Sequence, residues 1–259
     1  VTTLYVLGSG SRGNCAAIRH GDQTLLLDAG FSAREIARRA RTVGLALETV
    51  VGIALTHEHG DHTSGAAALA QQLDVPVIAS VGTWDRIRPR FAASRFIAAI
   101  PMGEVALGPF RIRACPVSHD ASEPIALRIQ AADGASVALA TDVGRPTTAL
   151  RWLLAGAQAI VLEANHDEVM LRTSSYPPSV QERIVGSGGH LSNRAAAELL
   201  GELIHPGLRQ VVLAHLSERC NSADEARRTV RPVLEAAGYQ GGFEVALQHE
   251  PLAPLMIAG

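Results

Sequence analysis

Thr56-His57-Glu58-His59-Gly60-Asp61-His62-Thr63 packs three imidazoles and a carboxylate into six positions. The run before it, Val50-Val51-Gly52-Ile53-Ala54-Leu55, is short and apolar on both faces, the pattern of a buried parallel strand. After it, Ser64 to Leu73 is Ala-rich and helical in pattern. The polar side chains therefore fall on a loop at the C-terminal end of a strand, where open α/β sheets place their sites. His57 and His59, two apart on an extended loop, can point the same way and share one cation. Asp61 and His62 are adjacent, point elsewhere, and can serve a second. A solvated polar loop is the bland alternative, but several neutral histidines and a carboxylate make a site when a divalent ion collects them.

Two cations need further ligands from distant parts of the chain. Pro116-Val117-Ser118-His119-Asp120 ends an alternating strand from Phe110, Ala138-Leu139-Ala140-Thr141-Asp142 ends another, and Val211-Val212-Leu213-Ala214-His215 ends a third. Singly, His119 or His215 is as often a core histidine, and Asp142 could cap a helix; their shared order is the signal. That order, HxHxDH followed by His, Asp and His, resembles the metallo-β-lactamase-fold hydrolases over nearly the whole chain. The resemblance implies an α/β protein with a four-layer αββα sandwich. It implies that His57, His59 and His119 hold one metal, that Asp61, His62 and His215 hold the other, and that Asp142 bridges them. No linker, charge block or tandem repeat divides the 259 residues, so one domain over 1–259 is expected, a pseudo-duplication whose halves meet near Glu123.

Composition narrows the partners less. The net charge of −2 does not announce a nucleic-acid binder. All 23 basic residues are Arg, whose planar fork suits phosphate, and twelve of them fall in three groups at Arg34–Arg41, Arg86–Arg95 and Arg219–Arg231. Cys15, Cys115 and Cys220 are odd in number and far apart, which suggests neither a disulfide framework nor a zinc ribbon and points to a reducing compartment. The first residues lack a basic segment followed by an apolar one, and no apolar run approaches a membrane span. A cytoplasmic protein without a membrane partner is expected, which counts against a secreted antibiotic-degrading lactamase.

Near the start, Leu4 to Leu7 reads as a strand that feeds Gly8-Ser9-Gly10-Ser11-Arg12-Gly13. This matches GxGxxG, yet the dinucleotide fingerprint needs the third glycine to open a helix, and Asn14–Arg19 and Thr24–Leu27 look like two strands instead. The loop remains a candidate backbone nest for a phosphate, against a plain tight turn. Asp28, in Leu27-Asp28-Ala29-Gly30, reads as a structural support. Ser32 can cap a helix to about Val43, and residues 104–140 alternate as antiparallel strands.

A second feature sets the reaction class. Ala159-Ile160-Val161-Leu162-Glu163 ends a buried strand on an acid, which is costly without a partner. Gly188-Gly189-His190-Leu191-Ser192-Asn193 offers one, a histidine delivered on a glycine turn before a helix that Ser192 or Asn193 could cap. Glu163 and His190 resemble the pair that, in phosphodiesterases and nucleases of this fold, supports and performs protonation of the leaving oxygen. The alternative is a Glu that pins a loop and a histidine at a helix cap. His20, His166, His205 and His249 have no matching context and read as surface or structural.

The metal loop sets the reaction type without naming the substrate. His119 sits in Val117-Ser118-His119-Asp120-Ala121, unlike the Thr-Pro-Gly-His-Thr of glyoxalase-II and lactonase relatives. Position 59 is His, where flavodiiron relatives carry Glu, and 215 − 142 = 73 residues leave no room for a β-CASP insertion. tRNA 3′-processing enzymes share the Glu and His pair but usually carry a protruding arm, for which no long insertion is present. Five motifs resemble the bacterial YycJ/WalJ-like branch: Gly8 to Asn14, Ser118 to Ala121, Leu162 to Asp167, Gly189 to Asn193 and Leu213 to Ser217. Arg219-Cys220-Asn221 departs from its more uniformly polar pattern.

That resemblance implies a 5′→3′ exonuclease on double-stranded DNA with a role in repair. A hydroxide activated by two divalent ions (Zn, Mn or Fe) attacks phosphorus, Asp61 orients it, and Glu163 and His190 supply the proton. Ser9, Ser11, Asn14, Ser192 and Asn193 are candidate phosphate contacts, with Arg12 for the terminal phosphate. The rivals are a small-molecule (cyclic phosphate) phosphodiesterase, an RNA-processing nuclease of the same fold, and a non-enzymatic metal-binding regulator.

Overall fold

Alternating side chains on short strands sort the apolar residues into three core layers. The computed structural model describes residues 1–91 and 94–257. Six strands come first: β1 Thr2–Gly8, β2 Cys15–His20, β3 Gln23–Leu27, β4 Val50–Ala54, β5 Val77–Ala79 and β6 Phe96–Ala98. Seven more follow: β7 Glu104–Leu107, β8 Phe110–Pro116, β9 Ile125–Ala131, β10 Ser136–Ala140, β11 Ala159–Glu163, β12 Gln210–Ala214 and β13 Gly242–Val245. A last strand, β14 Leu255–Ile257, returns to pair with β1.

The result is two sheets, ordered β14-β1-β2-β3-β4-β5-β6 and β7-β8-β9-β10-β11-β12-β13. Leu4, Val6, Leu25 and Leu27 face Leu127, Val137, Leu139 and Val161 between the sheets. The alternate residues Tyr5, Leu7, Leu26 and Ile53 turn outward against Ile36, Ala40 and Leu69 of the helices Ala33–Thr42 and Ala66–Leu73. On the other side Ile160, Leu162, Val211 and Leu213 meet Leu150, Leu199, Leu200 and Val230 of three further helices. Helix, sheet, sheet and helix make the four layers that the sequence led us to expect.

Both sheets follow one pattern. Three antiparallel junctions lead to β3 in the first and to β10 in the second. Three parallel junctions then continue beyond each. The chain changes sheet between Ala98 and Glu104, upstream of the meeting point expected near Glu123, which lies between β8 and β9 of the second sheet. The reason for this correction is topological: β14, not a strand preceding Glu123, fills the antiparallel edge beside β1.

β3 and β10 hold equivalent places and end alike, in Asp28-Ala29-Gly30 and Asp142-Val143-Gly144. Both aspartates have φ 57°, a left-handed conformation that Asp tolerates better than most residues. Both glycines admit a close backbone crossing: a Cβ on Gly30 would overlap the carbonyl of Asp61, and one on Gly144 the carbonyl of Ser187. Each Asp-x-Gly thus turns a carboxylate inward while letting a later loop lie directly on it.

Arg39 corrects one impression left by the arginine clusters. It is buried, donates to the carbonyls of Leu7 and Gln248 at 2.9 Å each, and lies over the Phe31 ring. It ties the end of β1 to the C-terminal segment and is not free for phosphate.

Gly30→Ala is expected to destabilise the fold by about 3 kcal/mol or more, because rigid backbone has to move. Gly21→Ala, at φ 61° with open space around it, is expected to cost only about 1 kcal/mol. Urea midpoints for the pair check the difference.

Candidate metal centre

The C-terminal ends of β3, β4, β10, β11 and β12 bring the site together. His57 follows β4, and His59 caps a helical turn, Gly60–Thr63, that carries Asp61 and His62. His57 to His59 lie ahead of that turn, which sets Asp61 and His62 together beside His215. His119 follows β8, Asp142 follows β10, and His215 follows β12 at φ 55°. All seven positions converge. Nitrogen or oxygen atoms lie within 4.8 Å of one another in His57, His59 and His119; in Asp61, His62 and His215; and in His57, His62 and Asp142. Asp142 stands between the groups, with Oδ2 2.9 Å from His62 Nε2 and Oδ1 3.3 Å from His215 Nε2 and 3.5 Å from His119 Nε2.

Hydrogen bonds behind the rings decide which nitrogen faces inward. A carboxylate accepts, so His62 Nδ1 donates to Asp28 Oδ2 at 2.8 Å and presents Nε2. Thr56 spends its hydroxyl proton on Asp28 at 2.9 Å, so it accepts from His57 Nδ1 at 3.1 Å, which bares His57 Nε2. His119 Nδ1 donates to the Gly189 carbonyl at 3.1 Å, and His215 Nδ1 to Asn14 Oδ1 at 3.2 Å. Four rings therefore hold Nε2 lone pairs toward one place, the arrangement that partners behind metal-binding histidines produce.

These lone pairs are the test of whether metal fits. His57 Nε2, His119 Nε2 and Asp142 Oδ2 are buried and lack an aligned hydrogen-bond partner. Burying such groups unpaired costs roughly 1–3 kcal/mol each, and a divalent cation removes that cost. A set of imidazoles and carboxylates suits Zn, Mn or Fe, and the residues present fit divalent metal.

Charge follows the same geometry. Burial and the neighbouring charge of His62 hold His57 well below the usual imidazole range, which favours the neutral, ligating form. Burial would raise Asp142, but His215 and His62 outweigh it and hold the carboxyl well below the usual range. Asp61 behaves alike: burial opposes, yet the neighbouring His62 and His215 keep it low.

Beside the cluster, fully buried Glu163 accepts from His190 Nδ1 at 2.7 Å through Oε1 and from the Val143 and Leu191 amides through Oε2. Burial lowers His190, but the Glu163 charge and hydrogen bond outweigh it and push it up to about 9. His190 Nδ1 lies 3.5 Å from Asp142 Oδ1, so this imidazole sits at the edge of the cluster.

The phosphate contacts expected from the sequence divide. Ser9 is buried, donating to Asn14 and accepting from the His215 amide. Buried Asn14 spends its amide on Gly10, Asp61, His62 and His215. Asn193 exchanges two hydrogen bonds with Asn221. Reading these three as phosphate contacts is corrected: their polar atoms are used inside the protein, and the Gly-rich loop positions His215 and Asp61. Ser11 lines the metal cavity, whereas Arg12 is exposed and paired with Glu218 at 2.9 Å. Ser192 caps the helix Asn193–Leu203 and donates to Glu168.

Sequence reasoning passed over Thr56, whose hydroxyl touches Asp28, His57 and His62; its place before the first histidine was the available signal. It also passed over Arg183 and Tyr176, which line the cavity and which no local pattern marks. Arg219, named in the third arginine cluster, lies over the Tyr176 ring.

Comparison with known proteins gives a concordant picture. Residues 23–216 match the family model described as β-lactamase superfamily domain. Exodeoxyribonuclease YycJ of Bacillus anthracis is 36% identical over 251 residues, with 93% of this chain and 92% of that protein covered. Exodeoxyribonuclease WalJ of Streptococcus pneumoniae is 30% identical over 248 residues, covering 92% and 90%. The metallo-β-lactamase fold protein YhfI of Bacillus subtilis superposes with a TM-score of 0.73 over 97% of this chain and 99% of that one, at 18% identity. Among the described residues no helix is long and apolar enough to cross a membrane.

Asp28→Asn keeps the shape but can turn an amide N–H toward His62 Nδ1, which no longer fixes the inward lone pair. Metal affinity is expected to fall about 10–100-fold, measured by competition with a chromophoric chelator.

Proposed function

The chain belongs to the β-lactamase superfamily, in the branch of the YycJ and WalJ exodeoxyribonucleases, and from that premise we propose that it removes nucleotides from the 5′ ends of double-stranded DNA. It is a metal-dependent phosphodiester hydrolase of the nuclease type. The phosphodiester chemistry of this reading is supported by one observation, the buried Glu163 holding His190 by a 2.7 Å hydrogen bond at the edge of the ligand cluster, and the DNA substrate rests on the likeness to the exodeoxyribonucleases.

Two divalent ions, one on His57, His59 and His119, the other on Asp61, His62 and His215, with Asp142 between, would supply Lewis-acid charge and water of lowered pKa. The chain's own groups do the rest. Asp61 orients the attacking water, its carboxylate held low by His62. Glu163 keeps Nδ1 of His190 occupied, so Nε2–H is the proton available to the departing 3′-oxygen. Ser11 and Arg183, which line the cavity, take the phosphates flanking the scissile one, with Arg12 and Ser192 further out. We take 1–259 as a single functional unit, since the ligands come from both sheets.

Incubation with Mn²⁺ of a linear duplex labelled at its 5′ end, beside the same duplex circularised and a bis-aryl phosphodiester, tests this reading. Shortening of the linear duplex from its 5′ end with the circle intact is expected. Cleavage of the small diester alone would point to a small-molecule phosphodiesterase.

His190→Ala is expected to lower turnover about 10²–10⁴-fold with two ions still bound, the range for one general acid; metal analysis beside kinetics checks it. The protonated imidazole is the donor, so activity should fall as pH rises through the His190 pKa. Because Glu163 raises that pKa, Glu163→Gln should move the alkaline limb of kcat/KM to lower pH.

A further inference from the structure

Next to the metal cavity lies a second, of about 640 Å³, lined on one side by Leu171, Pro178, Val185 and Leu191. Among the described residues, His190 is the side chain that lines both. The helix Pro178–Val185 stands between them, turning Val180, Arg183 and Ile184 to the metal cavity and Pro178, Gln181 and Val185 to the other. Two features of the second cavity call for a ligand. His166 lines it at 2% exposure with Nδ1 unpartnered, and a buried polar atom left so is costly. Arg145 and Arg172 also line it, exposed, and neither makes an ion pair among the described residues. Of the acids present, Glu168 accepts from Ser192, and Glu182 stands on the exposed side.

We propose that this cavity receives the 5′-terminal nucleotide of the strand being cut, its base on the apolar wall beside His166 and its 5′-phosphate between Arg145 and Arg172. This rests on the nuclease reading above, and the direction of bond breaking leads to it. The water oxygen bonds to phosphorus, the P–O3′ bond breaks with its electron pair on O3′, and the proton from His190 makes the 3′-hydroxyl. The phosphate stays on the shortened strand, so the departing piece is a nucleoside 5′-monophosphate that lies on the His190 side of the phosphorus. His190 also lines the second cavity, whose volume falls within the roughly 300–1,000 Å³ of small-ligand sites. A base and a sugar can enter; a duplex cannot. Burial holds His166 below the usual imidazole range, so it meets the nucleotide as a neutral donor and acceptor. A pocket one nucleotide deep, ended by two arginines, measures from a strand terminus and accounts for exonuclease action.

The test uses the full chain loaded with Mn²⁺, 5′-dAMP and 3′-dAMP as inhibitors, and linear duplexes ending in 5′-phosphate or 5′-hydroxyl. Competitive inhibition by 5′-dAMP, weaker inhibition by 3′-dAMP, and faster cutting of 5′-phosphate ends are expected. Replacing both Arg145→Ala and Arg172→Ala should raise the 5′-dAMP inhibition constant about 10–100-fold, as for lost charge-assisted hydrogen bonds, and erase the end preference. Melting temperature and metal content should stay unchanged, since both side chains are exposed. If the parent protein shortens DNA from the 5′ end but 5′-dAMP does not compete, or the double variant keeps the parent's inhibition constant, this inference alone is overturned. If the parent shortens no linear duplex while hydrolysing a bis-aryl phosphodiester, the nuclease reading fails and takes the inference with it.

Discussion

The hydrogen bond from His62 Nδ1 to buried Asp28 is the constraint on which the site depends. It is buried, and there Asp28 also accepts from the Thr56 amide and hydroxyl, so one carboxylate fixes the ring of His62 and, through Thr56, that of His57. Low local dielectric makes such bonds strong when complete and costly when broken. Asp28 can do this because it stands at φ 57° at the end of β3 and because Gly30 lets the Asp61 backbone lie directly on the turn. The geometry of the metal loop is therefore held from a different strand.

The paired sheets explain the division of labour. Asp28 and Asp142 end equivalent strands in the same Asp-x-Gly turn, yet Asp28 accepts from the back of the His62 ring, whereas Asp142 faces the inward nitrogens of His62 and His215. One half of the pattern holds a ring from behind and the other stands among the inward atoms. In the second sheet, Glu163 at the end of β11 binds the Val143 amide beside Asp142 and the ring of His190. His190 and the turn that carries Asp142 are thus tied to one buried acid, the kind of fixed arrangement that preorganised electrostatics requires.

Much of this was legible in the sequence, because ligands at strand ends are local signals: an apolar run that stops at a histidine or aspartate marks its position without knowledge of the partner strand. His57, His59, Asp61, His62, His119, Asp142 and His215 were placed that way, and Glu163 and His190 by an acid ending a buried strand and a histidine on a glycine turn. The phosphate contacts were less legible because an exposed Ser or Asn and one turned inward look identical in a Gly-rich loop. Ser9 and Asn14 proved to be inside, holding His215. Likewise the change of sheet near residue 100 depends on β14 crossing back to β1, a pairing between chain ends that no local pattern announces. His166 was read as surface or structural, because its burial beside a cavity is a property of packing that no local pattern shows.

The central claim is that His190, held by Glu163, protonates a departing 3′-oxygen, and a change of leaving atom tests it most directly. A linear duplex whose terminal linkage carries sulfur in place of the bridging 3′-oxygen releases a thiolate, which needs no proton. His190→Ala should be slowed about 10²–10⁴-fold on the oxygen linkage and cut the sulfur linkage at close to the parent rate. Equal slowing on both linkages would contradict the account, because it would show that His190 acts on binding or position and not on the leaving group.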